Sequence, residues 1–124
     1  MGLQKEVERE NNGVVLGYWH LAQALHRLDA AQVEVTFHPY VNEASYKQGK
    51  RPAGAPLRYT LVPSDFPSGA DMRALTTRML YDAVKGKTAR AAKAPGDGNP
   101  ARLPEVDGIP TDPALAGAAD IGIG

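Results

Sequence analysis

Residues 14–41 read VVLGYWHLAQALHRLDAAQVEVTFHPYV, and the fold turns on this stretch. Its second half alternates. Val33, Val35, Phe37, Pro39 and Val41 fall on one face, and Glu34, Thr36, His38 and Tyr40 on the other, the period of a half-buried strand. Its first half admits two readings. Val14 to Tyr18 is strand-like, whereas Leu21, Leu25 and Leu28 also stand at helical spacing, and Ala22 and Ala24 favour helix. Strand is preferred because Tyr18 and Trp19 are aromatic strand formers and no capping residue precedes a helix start there. The whole stretch is then a long β-hairpin with Asp29-Ala30-Ala31-Gln32 as its loop. On the alternative reading these four residues end a helix over 19–28.

Outward from the hairpin, Leu3 to Glu10 alternates imperfectly as a short strand, and Asn11-Asn12-Gly13 has the residues of a tight turn. Asn42 is placed to cap one helical turn containing Ser45 to Gln48, within a polar connection, NEASYKQGKRPAGAP, that carries Lys47, Lys50 and Arg51. Leu57, Tyr59 and Leu61 alternate with Arg58, Thr60 and Val62 between Pro56 and Pro63, as a strand should. The spacing then predicts a helix over 69–86. Ser68 is its N-cap, Asp71 adds charge to the first turn, and Gly86 between Lys85 and Lys87 marks its end. Met72, Leu75, Met79, Leu80, Ala83 and Val84 form its apolar stripe, expected to pack on the sheet.

From Thr88 the character changes. The last 37 residues hold five prolines, six glycines and no aromatic residue. Such a segment buries too little to form a core of its own. The division is therefore a β-rich body over 1–87 and an extended Gly/Pro/Ala-rich arm over 88–124. Leu103, Val106, Ile109, Leu115, Ile121 and Ile123 are spaced along the arm like pegs. Ordering it costs on the order of 1–2 kcal/mol per residue of backbone entropy, so contacts must hold it. The expectation is an arm that runs over another subunit, so that deleting 88–124 leaves the body folded. The fold class is α+β: a small antiparallel meander packed by one C-terminal helix, followed by the arm.

The charge is uneven. Net charge is zero, but residues 1–96 hold 13 of the 14 basic and 9 of the 14 acidic residues, and residues 97–124 hold one basic against five acidic. The imbalance, +4 against −4, fits an acidic tail docked on a basic surface, its own or a neighbour's. The Lys47, Lys50, Arg51 cluster is a candidate contact for an acidic partner. The charges are too few and scattered for a nucleic-acid partner. No apolar run approaches the roughly 18 residues of a membrane span. The charged opening has no secretory signal core and no lipidation pattern. With no cysteine, disulfides and thiolate metal sites are excluded.

Chemistry is sparse. Placed on one strand, His20 and His26 share a face, with His38 opposite His20 on the next, but HExxH and paired HxH spacings are missing and no metal or other cofactor is expected. Ser45 and Ser64 lie outside any GxSxG context. Asp65, Asp71 and Asp82 cluster in sequence, but two of them have simpler roles around the helix start and on its exposed face. Gly96-Asp97-Gly98-Asn99 lacks the alternating acidic ligands of a calcium loop. The chain is not expected to be an enzyme.

Residues 3–86 resemble a family of small structural proteins encoded among the tail genes of tailed bacteriophages. The resemblance rests on Gly13-Val14-Val15, Tyr18 with His20, Tyr40 before Asn42-Glu43-Ala44, the strand Leu57 to Val62, and Tyr81. Trp19 interrupts the family's Tyr-His pair, and the arm lies outside the match. What the resemblance implies is a virion part of the tail, neck or baseplate region, made in the host cytoplasm. Its expected partners are other virion proteins and copies of itself. The alternative is an accessory carbohydrate- or receptor-binding module of the tail, stacking sugars on Tyr18, Trp19, Tyr40, Tyr46 and Tyr59, which requires those rings to be exposed together.

Overall fold

The computed structural model describes residues 2–7, 15–27, 29–93, 103–106 and 109–121. The Asn11-Asn12-Gly13 turn, the Gly96 to Asn99 stretch and Ile123 lie outside them.

The hairpin is there. β1 (Gly2–Val7), β2 (Leu16–Arg27), β3 (Gln32–Tyr40), a short α1 (Glu43–Lys47) and β4 (Leu57–Leu61) run in chain order. Then come the long helix α2 (Thr77–Lys93), a two-stranded β5 (Glu105–Val106) and β6 (Ile109–Pro110), and β7 (Ala119–Ile121). The main sheet has the order β4-β3-β2-β1-β7, antiparallel throughout. The fold is α+β, a meander with its far edge completed by the last strand of the chain. Of the two readings of the hairpin's first half, the structure shows strand, over Leu16–Arg27.

One irregularity explains why that stretch also looked helical. Leu21 faces Phe37 and Gln23 faces Thr36, so β2 carries one extra residue, Ala22, over a single step of β3. Such a bulge reverses which face each later side chain takes. Leu21 packs against the core, whereas Leu25, opposite Glu34, is 47% exposed.

The core lies on one face of the sheet. Val33, Val35 and Phe37 of β3, Leu57, Tyr59 and Leu61 of β4, and Trp19 of β2 meet Leu80, Tyr81, Ala83 and Val84 of α2. Val41 departs from the predicted alternation. It lies beyond the end of β3 and is exposed.

The helix is displaced from its predicted span. Residues 67–74 form turns instead: Gly69 takes φ 84°, Ala70 N donates to Pro67 O, and Asp71 Oδ1 accepts from Arg73 N at 2.9 Å. Asp71 serves a local turn that imitates a cap. The helix starts at Thr77, where Thr76 Oγ1 accepts from Met79 N at 3.2 Å. It runs through Gly86 to Lys93 because Ala89, Ala91 and Ala92 are strong helix formers, with Arg90 and Lys93 suiting its negative end. The expected boundary between 87 and 88 thus falls inside α2.

The tail returns to its own body. A 3₁₀ turn at Pro113–Leu115, capped by Asp112 Oδ1 accepting from Ala114 N, places Leu115 in the core at 0% exposure. β7 then pairs with β1, setting Gly2 opposite Ile121, Leu3 opposite Asp120 and Gln4 opposite Ala119. The entropy of ordering this arm is offset within the chain.

Candidate functional site

The arm meets the body through backbone pairing, a buried leucine and an ion pair together. The meander leaves β1 as an open edge, and β7 supplies the missing backbone partners. Asp120 of β7 lies beside α2, where its Oδ2 accepts from Lys85 Nζ at 2.9 Å with Arg78 Nη2 at 3.7 Å. Asp120 Oδ1 is buried without a hydrogen-bond partner. Upstream, Asp112 O accepts from the Tyr59 hydroxyl at 3.0 Å, and Thr111 N donates to Pro104 O at 2.8 Å. The acidic tail therefore docks on basic residues of its own helix, one of the two placements its charge allowed.

The six predicted pegs fare differently. Leu115 is fully enclosed and Val106 is buried where β5 meets α2. Ile109 is half-buried, and Leu103 is exposed. The Ile121 backbone pairs with Gly2, and Ile123 lies outside the described residues. Leu115 and Val106 are thus covered by their own chain. Lys47 pairs with Glu43 at 3.2 Å one helical turn away, and Lys50 and Arg51 sit exposed on the following loop.

On the opposite face of the sheet, α1 holds Tyr46 over a second aromatic group. Asn42 Oδ1 caps α1 by accepting from Ser45 N at 2.8 Å, as its position foretold. Tyr46 lies 5.4 Å from Tyr18, 5.2 Å from Tyr40 and 4.3 Å from His20, ring centre to ring centre, and its hydroxyl is 3.2 Å from His20 Nε2. Gly2 is required beneath them, because a Cβ there would stand 2.4 Å from Cζ of Tyr18. Burial, and after it the neighbouring Tyr81, Glu43, Tyr46 and Tyr40, push the Tyr18 hydroxyl up from 10.0 to about 12. Tyr18, Trp19, Tyr40 and Tyr59 are all buried, and Trp19 and Tyr59 belong to the other face. These rings pack the protein and do not form the exposed platform that sugar stacking needs.

The histidines do not converge. His20 faces His38 across the β2–β3 pair, as the alternation implied. His26 faces Val33, so the bulge at Ala22 puts it on the opposite side of the sheet from His20. No group of three or more His, Asp or Glu among the described residues is placed to hold a metal ion.

One charged cluster went unnoticed in the sequence. Lys87 and the Asp65 side chain are completely buried and meet at 2.9 Å. Asp65 Oδ2 also accepts from Val62 N at 2.8 Å, and Oδ1 is bound by Arg90. Spacing gives no signal for it: Asp65 belongs to a 3₁₀ turn and its two cationic partners, Lys87 and Arg90, to α2, more than twenty positions on. The cluster ties the end of β4 to the helix.

A shallow groove of about 470 Å³ crosses the outer face between Gln23, Leu25, Thr36, Arg58, Thr60 and Pro110. Its neighbour Glu34 is engaged by Arg27 at 3.3 Å. Among the described residues no helix is long and apolar enough to cross a membrane. No protein-family model matches the chain, and neither a curated protein nor a solved structure is significantly similar to it.

Proposed function

We propose that this chain is a structural subunit of a phage virion, placed in the tail, neck or baseplate region, which joins subunits through its C-terminal arm and performs no catalysis. The observation that carries the reading is the arm itself. Its last strand lengthens the sheet, its Leu115 enters the core, and its Asp120 is held by Lys85 and Arg78. A segment that binds by backbone pairing, one apolar plug and one ion pair has the equipment of a strand-addition contact. A body this small also gains from partners, since short chains bury a modest share of their surface. The phage setting comes from the resemblance of residues 3–86 to the tail-region family. Its partners on this reading are other virion proteins and copies of itself, and its place is the virion after synthesis in the host cytoplasm.

The test is mass spectrometry of purified particles released by cells carrying the gene, with sedimentation of the isolated protein over a range of concentrations. The chain is expected in the particles in stoichiometric amount and self-associated in solution. Particles that lack it, together with a monomer at every concentration, would sink the reading.

A further inference from the structure

We infer that the overhanging half of β2, residues 22–27, is a contact between two copies of this chain, which pair there edge to edge and antiparallel about a twofold axis at Leu25. The inference stands on the sheet alone and needs neither the arm nor the phage setting.

β2 is twice as long as β1 beside it. Leu3 faces Trp19 and Gln4 faces Tyr18, so β1, which begins at Gly2, reaches no further than His20. The next amide, Leu21 N, is taken by the Tyr81 hydroxyl. From there to Arg27, β2 pairs with β3 on one side, and among the described residues no backbone group meets its other edge. Ala22, Gln23, Leu25, His26 and Arg27 are all exposed.

The chain guards its other edges. β4 is flanked by Pro56 and Pro63 and carries the exposed Arg58. β1 is covered by β7, and β7 itself is three residues long. Proline, charge and brevity are the means by which sheets resist stray pairing. The overhang has no proline, and its one formal charge, Arg27, is answered by Glu34 at 3.3 Å. Leu25, 47% exposed, stands near its centre. An unguarded edge with an apolar middle is a template for another strand.

The strand that fits it is its own copy. Beyond the bulge at Ala22 the ladder to β3 is regular from Gln23 to Arg27. A twofold axis at Leu25 sets Leu25 against the partner's Leu25, Ala24 against the partner's His26, and Gln23 against the partner's Arg27. The leucines meet on the outer face, a small side chain meets a ring, an amide meets a guanidinium, and no like charges stand opposite one another. All these pairs keep the alternation, so outer face continues into outer face. An isologous contact of this kind closes at two copies.

The chain has no cysteine, so one introduced thiol reports without background. Leu25→Cys sets identical thiols directly opposite one another across the axis, with Cβ atoms about 5 Å apart, and mild oxidation joins them. Leu103→Cys, at a similarly exposed position on the arm, is the control. A disulfide-linked dimer is expected as the main product of Leu25→Cys and a minor product of Leu103→Cys. Equal cross-linking of the two, or a Leu25→Cys chain that stays a free thiol, overturns the pairing.

Sedimentation over a range of concentrations tests the same contact without a thiol. The wild-type protein is expected at twice the mass of one chain. Leu25→Lys and Leu25→Glu each place like charges face to face at the axis, on an exposed site that leaves the circular dichroism unchanged. Each variant alone is expected to sediment as a single chain where the wild type is paired, and mixing the two, which sets opposite charges face to face, is expected to restore the pair. A wild-type monomer at every concentration overturns the inference. An oligomer that neither substitution weakens overturns it too, and leaves the arm as the joint.

Discussion

The Tyr81 hydroxyl accepts a hydrogen bond from the Leu21 amide at 2.9 Å, joining the second turn of α2 to the one point where the β2–β3 register slips. A bulge interrupts the ladder and leaves backbone groups short of partners. Here a side chain from the covering helix serves the amide beside it. Tyr81→Phe keeps the ring against Phe37 and removes only the acceptor. Leaving an enclosed amide unsatisfied costs about 1–3 kcal/mol. Urea unfolding should register a loss of that size, and hydrogen exchange should show the Leu21 amide opening faster while those of β4 are unchanged. An undiminished midpoint would mean the amide finds another partner.

The Tyr18 hydroxyl makes the protein sensitive to alkali. Its pKa is raised in the folded state, from 10.0 to about 12, chiefly by burial. Burial also raises that of Tyr81, against which the Leu21 hydrogen bond works. A raised folded pKa means that stability is intact below the unfolded value and drains away as pH rises through the folded one. Stability should therefore hold to about pH 10 and fall toward pH 12, with Tyr18 contributing roughly 2–3 kcal/mol of the fall at 1.36 kcal/mol per unit. Tyr18→Phe should make the curve shallower across that window. An unchanged slope would show that the ring is already wet.

Asp65 and Lys87 should respond unequally to removal. Asp65→Ala strands the buried Lys87 ammonium and leaves Val62 N without its acceptor. Breaking a buried pair from one side costs about 3–5 kcal/mol. Lys87→Met leaves a carboxylate that still holds Arg90 and Val62 N, and it fills the enclosed space with an apolar chain of similar length. Its cost should be under half that of Asp65→Ala. Thermal melts of the two variants and the double variant decide the matter, and equal losses would mean that Arg90 carries no share.

What could be read beforehand was what repeats locally. Val33, Val35 and Phe37 announce their strand by alternation, and Asn42 announces its short helix by position. The bulge at Ala22 could not be read, because an extra alanine has no signature of its own and it scrambles the period of everything after it. The helix start was misplaced because Ser68 and Asp71 have the chemistry of a cap while Gly69 turns the chain away. The Asp65–Lys87 contact depends on two elements meeting in space, which no spacing rule encodes. The pegs of the arm were recognisable as apolar residues in a polar segment, but which of them would be enclosed depended on where β1 leaves an edge.

Gly86 is an uncorrected weakness of α2. It is exposed, inside the helix, and nothing lies within 4 Å of where its Cβ would be. Gly86→Ala should stabilise the protein by about 0.5–1 kcal/mol. Ala31 presents the converse case, a residue with a side chain held at φ 50° in the β2–β3 loop. Ala31→Gly should relieve about 1 kcal/mol of left-handed strain, less the freedom that glycine adds to the unfolded chain. Chemical denaturation with an unchanged slope would establish both as local effects, and a loss of stability in Gly86→Ala would show that α2 is broken there.

The arm and the body stand or fall together. The sequence led to the expectation of a body that survives without residues 88–124. The structure puts Leu115 at 0% exposure among Leu3, Leu80 and their neighbours, and lets α2 run six residues past that cut, so the deletion removes core as well as arm. Leu115→Ala isolates the core contribution while sparing β7. Deleting a fully enclosed leucine side chain costs about 2–5 kcal/mol, depending on how far the site collapses. Leu103→Ala, at an exposed position on the same arm, should cost close to nothing. If the two variants melt together at the wild-type temperature, the arm is not seated in the core. If Leu115→Ala alone falls, and falls further on dilution, the leucine it lost was filling a neighbour's seat as well as stabilising a single chain.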